Sequence, residues 1–379
     1  MLRQDRTDVI LRLGICMAGS MPFFRLNKIV ATGISFRNPP MKRAVILGRI
    51  QGGVVEADVP KPRENWVLIK IHAAPLCNEF KGFAAGREED YLGHEASGEV
   101  VEVAQPCRVE VGDRVVVMPG YPCGGCALCR SGDYIHCENN VDFEAFTGSS
   151  EGSATVAQYM LKPDWLLTPI PDDMSYEHGA MACCGLGPTY GAFDRLQVRG
   201  GDTVLITGMG PVGLGGVIGA SHFGAEVIAV ESHPYRKAKA MELGAAHVID
   251  PGDEDALERI RDLTGGLGVD RAVDCSGSPS AHRLCIDGLR RRGSLAFVGE
   301  SGADTRLVVS PDMLRKGIDL KGSWHYNMKG ALDIMGVIAK NQEKLDRFIT
   351  HLYPIDKIQK AWETQVSGEC AKVVIQPWA

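Results

Sequence analysis

The feature that most restricts the fold of this chain is a glycine-rich turn between an apolar run and a helix-length segment. The run Val204–Thr207 leads into Gly208-Met-Gly210-Pro211-Val212-Gly213, and the residues that follow are typical of a helix. Glycines at this spacing permit a tight turn and let backbone N–H groups approach a pyrophosphate, which the positive end of the helix dipole also attracts. The turn is therefore predicted to bind a dinucleotide cofactor.

An acid at the end of the next predicted strand favours NAD over NADP. The run Glu226–Val230 ends at Glu231, eighteen residues after Gly213. A carboxylate at this spacing accepts hydrogen bonds from the ribose hydroxyls and repels a 2′-phosphate. Arg236 is also predicted to lie near the cofactor, where an arginine would suit the 2′-phosphate of NADP. We expect NAD, with NADP as the weaker alternative.

The pattern of apolar runs divides the chain into two modules. From about residue 186 to residue 324, short apolar runs alternate with helix-length segments, which is typical of a parallel, doubly wound α/β sheet. From Met41 to about Leu161, short β runs alternate with turn residues, and this pattern predicts a mostly β module. The tail ends in a predicted strand, Ala371–Gln376, which we expect to return to the first module because chain termini often lie close together.

Four cysteines lie within fifteen residues, as Cys123-Gly-Gly-Cys126-Ala-Leu-Cys129 and then Cys137. Four thiolates on one short loop suit a tetrahedral zinc ion, and four protein ligands leave no open position. An iron–sulfur cluster is the alternative for these ligands, but the sequence shows no evident redox partner for one. We therefore predict a structural zinc site at this four-cysteine loop.

A second set of metal-ligating residue types is dispersed along the chain. Cys77 follows a predicted strand, His94 lies in Gly93-His94-Glu95, and the pair Cys183-Cys184 comes much later. Taken singly, a cysteine is more often a small buried side chain than a ligand. Taken together, two thiolates and one imidazole would leave a fourth zinc position open for water or an alkoxide, as in catalytic zinc sites.

The motifs in this order resemble the medium-chain, zinc-dependent alcohol dehydrogenase family over residues 41–379. The resemblance rests on Cys77, Gly93-His94-Glu95, the four-cysteine loop and the glycine turn. It implies a GroES-like, mostly β catalytic domain over 41–185 and 326–379, split around a Rossmann NAD-binding domain over 186–325. It also implies a small-molecule alcohol or ketone substrate and a homodimer or homotetramer.

The same resemblance implies roles for single residues. Cys77, His94 and Cys184 would hold a catalytic zinc, with Cys183 open as the alternative to Cys184, so we expect about two zinc ions per chain. Glu95 matches a glutamate close to the metal, which either binds zinc transiently or supports its ligands. Lys372 matches a basic residue that meets the cofactor pyrophosphate.

One departure from the family pattern concerns the residues after Cys77. Most members have Thr or Ser two positions later, and its hydroxyl passes on the alcohol proton, whereas this chain has Cys77-Asn78-Glu79-Phe80. The usual proton relay therefore does not carry over. Our hypothesis is that Glu79 accepts the proton or binds a substrate hydroxyl. Burial in a pocket without water, beside zinc, shifts the pKa of a carboxylate and so lets it exchange protons with a substrate. The alternative is that Glu79 points to solvent or pairs with Lys81 or Arg87.

Composition and charge add limits on partners and location. The net charge of −6 gives no electrostatic reason to expect nucleic acid. No uninterrupted apolar run approaches the roughly 20 residues that span a bilayer, so no membrane partner is expected. Cysteines at metal spacing indicate a reducing compartment, the cytoplasm. Residues 1–40 are basic and poor in acids, and they are predicted to be a poorly packed extension or a mis-assigned start, with a transit peptide as the alternative.

The expected chemistry is hydride transfer between NAD and an alcohol or ketone at a catalytic zinc. Glu79 and His325 favour a polyol, a sugar or an amino alcohol, and a plain aliphatic alcohol is the alternative. By position in the family pattern, the candidate pocket residues are Phe80, Phe143, Trp324 and His325. Two other functions stay open: a zinc-dependent reductase or lyase on the same scaffold, and a non-catalytic NAD-binding zinc protein.

Overall fold

The structure is a computed structural model that describes residues 39–379, so the predicted extension over 1–40 lies outside the described residues except for its last two. The strands are β1 Met41–Gly48, β2 Gln51–Ala57, β3 Trp66–Pro75, β4 Ala96–Glu102, β5 Arg114–Val117, β6 Tyr159–Pro163, β7 Leu167–Pro169, β8 Thr203–Thr207, β9 Glu226–Val230, β10 His247–Ile249, β11 Val269–Asp274, β12 Leu289–Phe297, β13 Asp319–Gly322, β14 Ile349–Pro354 and β15 Lys372–Gln376.

The α-helices lie mostly in the second half of the chain. They are α1 Glu79–Ala85, α2 Ala127–Ser131, α3 Phe143–Thr147, α4 Tyr176–Ala180, α5 Gly187–Leu196, α6 Pro211–His222, α7 Pro234–Leu243, α8 Ala256–Leu263, α9 Pro279–Gly288, α10 Ala331–Ala339, α11 Gln342–Phe348 and α12 Ile358–Ser367. None of the helices within residues 39–379 is both long enough and apolar enough to cross a bilayer.

Six parallel strands form the sheet of the second module, in the order β10-β9-β8-β11-β12-β13. Counting from β8, this is the strand order of dinucleotide-binding Rossmann folds, and the order reverses between β8 and β11. The central strands are nearly continuous buried apolar runs, which is expected for parallel strands covered by helices on both faces. In such sheets, ligands bind beyond the carboxyl ends of the strands at the reversal point, where the glycine turn lies here.

The first module is built on a mostly antiparallel sheet of seven strands. Its order is β14-β15-β3-β4-β5-β7, and β6 also pairs with β3. The last strand of the chain pairs with β3, through Val374 opposite Pro75 and Ile375 opposite Ala74. The last strand of the chain therefore lies in the sheet of the first module.

One hydrophobic cluster spans both modules. A single cluster of buried side chains includes Met118 and Val374 from the first module and Ile206 and Leu214 from the second. The same cluster contains Cys183, on the turn between α4 and α5. Because this core joins the two sheets, it fixes the loops of the first module relative to the glycine turn of the second.

Candidate active site and metal centres

Four predicted site residues converge on one point, although they are far apart in sequence. One side-chain ligand atom from each of Cys77, His94, Glu95 and Cys184 lies within 4.8 Å of the others. Cys77 stands between β3 and α1, His94 and Glu95 immediately precede β4, and Cys184 lies between α4 and α5. The Cys184 Sγ is 3.3 Å from the His94 Nε2. Two sulfurs and an imidazole at such distances suit zinc, which binds Sγ at about 2.3 Å and nitrogen at about 2.0 Å.

The loop that carries His94 depends on the glycine before it. Gly93 has a φ of +90°, and a Cβ at this position would lie only 2.3 Å from the Thr155 Oγ1. Any other residue would therefore clash and would also be strained, because side chains disfavour the left-handed region. Gly93 lets the chain turn tightly enough to bring His94 and Glu95 close to Cys77.

The surroundings of this cluster favour the thiolate form of Cys77 and the protonated form of His94. A hydrogen bond from Cys184 holds the pKa of the Cys77 thiol well below its usual range, and contact with His94 acts in the same direction. Burial opposes the charged form of His94, but contact with Cys77 and the charge of Glu79 raise its pKa to about 9. Of the two sulfurs, the Cys77 thiol therefore loses its proton more readily than the Cys184 thiol. A bound cation would take the place of the protons that these side chains share.

Behind the cluster lies a fully buried ion pair. The Lys372 Nζ donates to the Glu95 Oε1 at 2.8 Å, and neither side chain is exposed. The Glu95 Oε2 accepts a hydrogen bond of 3.1 Å from the backbone N–H of Cys184. Burial raises the pKa of Glu95 to about 7, although Lys372 opposes this shift. Glu95 thus connects the loop that carries Cys184 to Lys372 on β15. The contact of Lys372 with the cofactor pyrophosphate stays a prediction.

The two adjacent cysteines have different surroundings. Cys183 is fully buried, and its Sγ donates to the backbone carbonyl of Val117 at 3.2 Å. Burial raises the pKa of the Cys183 thiol to about 12. Cys184, in contrast, lies in the cluster with Cys77 and His94. The geometry therefore favours Cys184 as the third ligand and makes Cys183 part of the core.

Glu79 is buried, and its carboxylate faces the metal-ligand loops. The Glu79 Oε2 accepts a hydrogen bond of 2.7 Å from the backbone N–H of Cys77, and its Oε1 lies 3.5 Å from the His94 Nδ1. Its carboxylate makes neither of the predicted alternative pairs, with Lys81 or with Arg87, among the described residues. The carboxylate therefore contacts the histidine nitrogen that faces away from Cys184. We infer that Glu79 orients His94 rather than accepting a proton from substrate.

We expect Glu79→Gln to weaken zinc binding at this site by roughly 10- to 100-fold, because a carboxylate behind a ligand histidine fixes the ring and raises its basicity. Zinc loss to a chelator, followed over a concentration series, measures the effect. Glu89→Gln is the matched control, since Glu89 makes only a half-exposed surface pair with Arg87. Reduced turnover with unchanged zinc affinity would instead favour the proton-acceptor role.

A cavity of about 360 Å³ opens beside the cluster. It is lined by three candidate metal ligands, Cys77, His94 and Cys184. Val212 from the glycine turn and Val298, which follows β12, line the same cavity. A small molecule in this space can therefore touch both the metal-ligand cluster and a cofactor bound at the second module.

Some predicted pocket residues lie elsewhere. Phe143 packs with Trp66 in a separate hydrophobic cluster, and Phe80 packs against the core of the first module, so neither lines the cavity beside the cluster. Trp324 and His325 do line it. Tyr134 was not predicted from the sequence, and its hydroxyl lies 3.4 Å from the His325 Nδ1 inside the same cavity. Its position follows from packing between parts of the chain that are far apart in sequence.

The four-cysteine loop has the geometry of a tetrahedral site. The four sulfurs lie within 4.8 Å of one another, with Sγ–Sγ distances of 3.5 Å between Cys126 and Cys129, 3.6 Å between Cys123 and Cys137, and 3.9 Å between Cys126 and Cys137. Zinc–sulfur bonds of about 2.3 Å at tetrahedral angles require sulfurs about 3.8 Å apart. Backbone N–H groups of Gly125 and Cys126 lower the pKa of the Cys123 thiol to about 6. The donor set therefore fits a zinc ion without rearrangement.

The glycine turn leaves room for a ligand at the start of α6. Gly208 has a φ of +82°, and a Cβ at Gly213 would lie 1.9 Å from the Gly208 carbonyl oxygen, so the fold itself requires glycine at both positions. A Cβ at Gly210 would meet nothing within 4 Å. Pro211 begins α6, and the helix N-terminus faces this open space, which suits a pyrophosphate.

Glu231 lies beside this turn, at the end of β9. Its Oε2 accepts a hydrogen bond of 2.8 Å from the Met209 N–H, and its Oε1 accepts from the Ser232 and His233 N–H groups. A second cavity of about 560 Å³ is lined by Gly208, Gly210, Glu231 and Arg236. The structure thus brings the predicted dinucleotide-binding residues together, apart from Lys372.

Comparison with known proteins gives a consistent assignment. The sequence model described as alcohol dehydrogenase GroES-like domain matches residues 63–172, and that described as zinc-binding dehydrogenase matches residues 211–346. The chain is 33% identical to sorbitol dehydrogenase of Bacillus subtilis, over 89% of this chain and 97% of that protein. It is 31% identical to L-threonine 3-dehydrogenase of Pyrococcus horikoshii, over 85% and 94%.

Among solved structures, alcohol dehydrogenase TADH from Thermus sp. ATN1 superposes with a TM-score of 0.80 at 25% identity, covering 89% of this chain and 99% of that one. The matches thus extend over both modules. They show an enzyme that transfers hydride between alcohols and ketones and uses zinc and NAD(P). The chain belongs to the zinc-type medium-chain alcohol dehydrogenase family.

Proposed function

We propose that this enzyme oxidises a polyol, a sugar or an amino alcohol with NAD, and catalyses the reverse reduction. The observation that carries the proposal is the cavity that contacts Cys77, His94 and Cys184 on one side and Val212 and Val298 on the other. The names of the relatives, sorbitol dehydrogenase and L-threonine 3-dehydrogenase, support a substrate with a second polar group beside the carbinol.

The proposed reaction is balanced within the site. NAD held at Gly208, Gly210 and Glu231 would accept the hydrogen and electron pair of the carbinol C–H bond, and the hydroxyl proton would leave for solvent, so that the alcohol would become a carbonyl. Zinc held by Cys77, His94 and Cys184 would act as a Lewis acid that lowers the pKa of the alcohol. Glu79 orients His94, and the Glu95–Lys372 pair holds the Cys184 loop in position.

The proposed enzyme has a second zinc ion, forms a homo-oligomer and resides in a reducing compartment. A second zinc at the four-cysteine loop would stabilise that loop without taking part in the reaction. Family membership supports a homodimer or homotetramer formed through the edge strand β13 of the Rossmann sheet. The eleven described cysteines form no disulfide with one another, which supports a reducing compartment such as the cytoplasm.

NAD is the proposed cofactor because Glu231 lies beside the glycine turn, where a carboxylate repels a 2′-phosphate. Arg236 lines the same cavity and is the feature that would favour NADP. We therefore expect kcat/KM for NAD to exceed that for NADP by roughly 10-fold or more, which corresponds to about 1.4 kcal/mol.

The test is a screen of NADH and NADPH formation at 340 nm with polyols, sugars, amino alcohols and simple aliphatic alcohols, run in both reaction directions. The proposal predicts the highest kcat/KM with NAD and a substrate that carries a second polar group. Equal efficiency with NADP would contradict the cofactor assignment. Absence of turnover with every alcohol, in protein that carries zinc, would contradict the proposed function and favour a lyase or a non-catalytic protein.

A further inference from the structure

One buried polar atom of the active-site cavity has no partner. Among the residues that the structure describes, the Nε2 of His325 is the only buried side-chain nitrogen or oxygen that lacks a hydrogen bond and belongs to a residue lining this cavity. His325 is 7% exposed, and its ring stacks on Tyr326 with centroids 4.7 Å apart. Since buried polar groups are almost always hydrogen-bonded, this atom indicates a partner that is absent from the protein itself.

The contact at the other nitrogen of the ring favours one tautomer of His325. The Tyr134 hydroxyl lies 3.4 Å from the His325 Nδ1, and no other acceptor lies within hydrogen-bond distance of that hydroxyl among residues 39–379. Burial raises the pKa of Tyr134 well above its usual range, so the phenol stays protonated, and because Nδ1 is the acceptor within its reach, we infer that the Tyr134 O–H donates a hydrogen bond to Nδ1. The neutral ring then carries its own hydrogen on Nε2, which is therefore a donor.

The surroundings keep this ring neutral. Burial, together with the nearby charge of His94, lowers the pKa of His325 to about 3. The groups whose charge acts on the ring are therefore the metal-ligand residues His94 and Cys77, and the Tyr134 hydroxyl faces its opposite nitrogen. Tyr121, another polar side chain of the cavity, already donates its hydroxyl proton to the Ser153 carbonyl at 2.6 Å.

We propose that the His325 Nε2–H donates a hydrogen bond to a second oxygen of the substrate, carried on a carbon next to the one oxidised, and so selects vicinal diols over simple alcohols. The reacting oxygen must lie beside Cys77, His94 and Cys184. His325 lines the same cavity, close enough for the charges of His94 and Cys77 to act on its ring. An oxygen on the neighbouring carbon is the closest acceptor that such a substrate offers. This inference rests on the proposed function, because it assigns the substrate class of the same site.

The experiment compares wild-type zinc-loaded enzyme with His325→Phe on two matched pairs of substrates: butane-2,3-diol against butan-2-ol, and propane-1,2-diol against propan-2-ol. Phenylalanine keeps a ring to stack on Tyr326 but has no donor. We expect kcat/KM for the diols to fall roughly 10- to 100-fold and kcat/KM for the simple alcohols to change less than about 3-fold. His325→Gln retains an N–H donor and should restore part of the loss for the diols only.

The outcomes separate this inference from the proposed function. An equal fall for diols and simple alcohols would mean that His325 acts only through packing, and an unchanged preference would mean that it does not contact the second oxygen; either result overturns the inference and leaves the proposed function intact. A wild-type enzyme that oxidises none of these compounds and none of the wider alcohol panel overturns both. Zinc content and thermal unfolding of each variant show whether it has folded normally.

Discussion

Replacing Cys184 with alanine is expected to lower kcat/KM for alcohol oxidation by about 1,000-fold or more, because the site loses one of two thiolate ligands. Cys184 contributes a sulfur 3.3 Å from the His94 Nε2, and its ligand atom lies within 4.8 Å of those of Cys77 and Glu95. Stabilisation of a developing alkoxide by a bound metal contributes several kcal/mol, and each 1.36 kcal/mol corresponds to a tenfold change in rate. The measurement is initial-rate kinetics with NAD and the best alcohol of the screen.

The neighbouring cysteine supplies a matched control for this prediction. Cys183→Ala removes a buried thiol of the same kind, but the Cys183 Sγ donates to the Val117 carbonyl and lies outside the metal-ligand cluster. We expect it to cost about 1 kcal/mol of unfolding free energy and to leave kcat/KM within about 3-fold of wild type. If Cys183→Ala abolished activity and Cys184→Ala did not, the assignment of the third ligand would be reversed.

Replacing Lys372 with methionine is expected to lower the free energy of unfolding by about 3–5 kcal/mol, because it leaves Glu95 as an uncompensated buried charge. Both side chains of the pair are fully buried, and the other Glu95 oxygen is held by the Cys184 N–H. Chemical denaturation of the zinc-loaded protein measures the change. Lys360→Met is the control, since Lys360 pairs with Glu363 on the surface and its removal should change stability by no more than about 1 kcal/mol.

The free energy of unfolding of Lys372→Met is expected to fall as the pH rises. Burial already raises the pKa of Glu95 to about 7, and removal of Lys372 takes away the charge that opposes this rise. A carboxyl group whose pKa is higher in the folded than in the unfolded state binds more protons when folded, so stability falls as the pH rises. The loss in Lys372→Met should therefore be larger at about pH 8 than at about pH 6. Glu95→Gln combined with Lys372→Met removes the charge and should recover much of the stability; a double variant as unstable as the single one would contradict this account.

The parts of the site that lie close together in sequence were predictable. In the four-cysteine loop, the spacing of the ligands alone brings the sulfurs to within metal-binding distance. The glycine turn was predictable for a similar reason, since the positive φ of Gly208 and the close approach of Gly213 to the Gly208 carbonyl both lie within the turn itself. The Rossmann sheet followed from the alternation of apolar runs and helix-length segments, and its strand order confirms the prediction.

The parts that depend on distant packing were not predictable. Lys372 was assigned to the cofactor by resemblance, but its partner Glu95 is 277 residues away in sequence. The pairing of β15 with β3 and of β3 with β4 brings the two together. Glu79 begins a short helix, α1, that the periodicity of the first module did not indicate, and this helix turns its carboxylate toward His94. The contact between Tyr134 and His325 joins residues 191 apart, and nothing in either neighbourhood indicates it.

Zinc content per chain, measured by elemental mass spectrometry on purified protein, shows whether the dispersed cluster holds an ion of its own. We expect about two zinc ions in the wild type and in Cys183→Ala, and about one in Cys184→Ala, because the four-cysteine loop keeps its own ion while the dispersed cluster loses a ligand. Equal zinc content in wild type and Cys184→Ala, with alcohol oxidation unchanged, would contradict the claim that Cys77, His94 and Cys184 bind one catalytic ion.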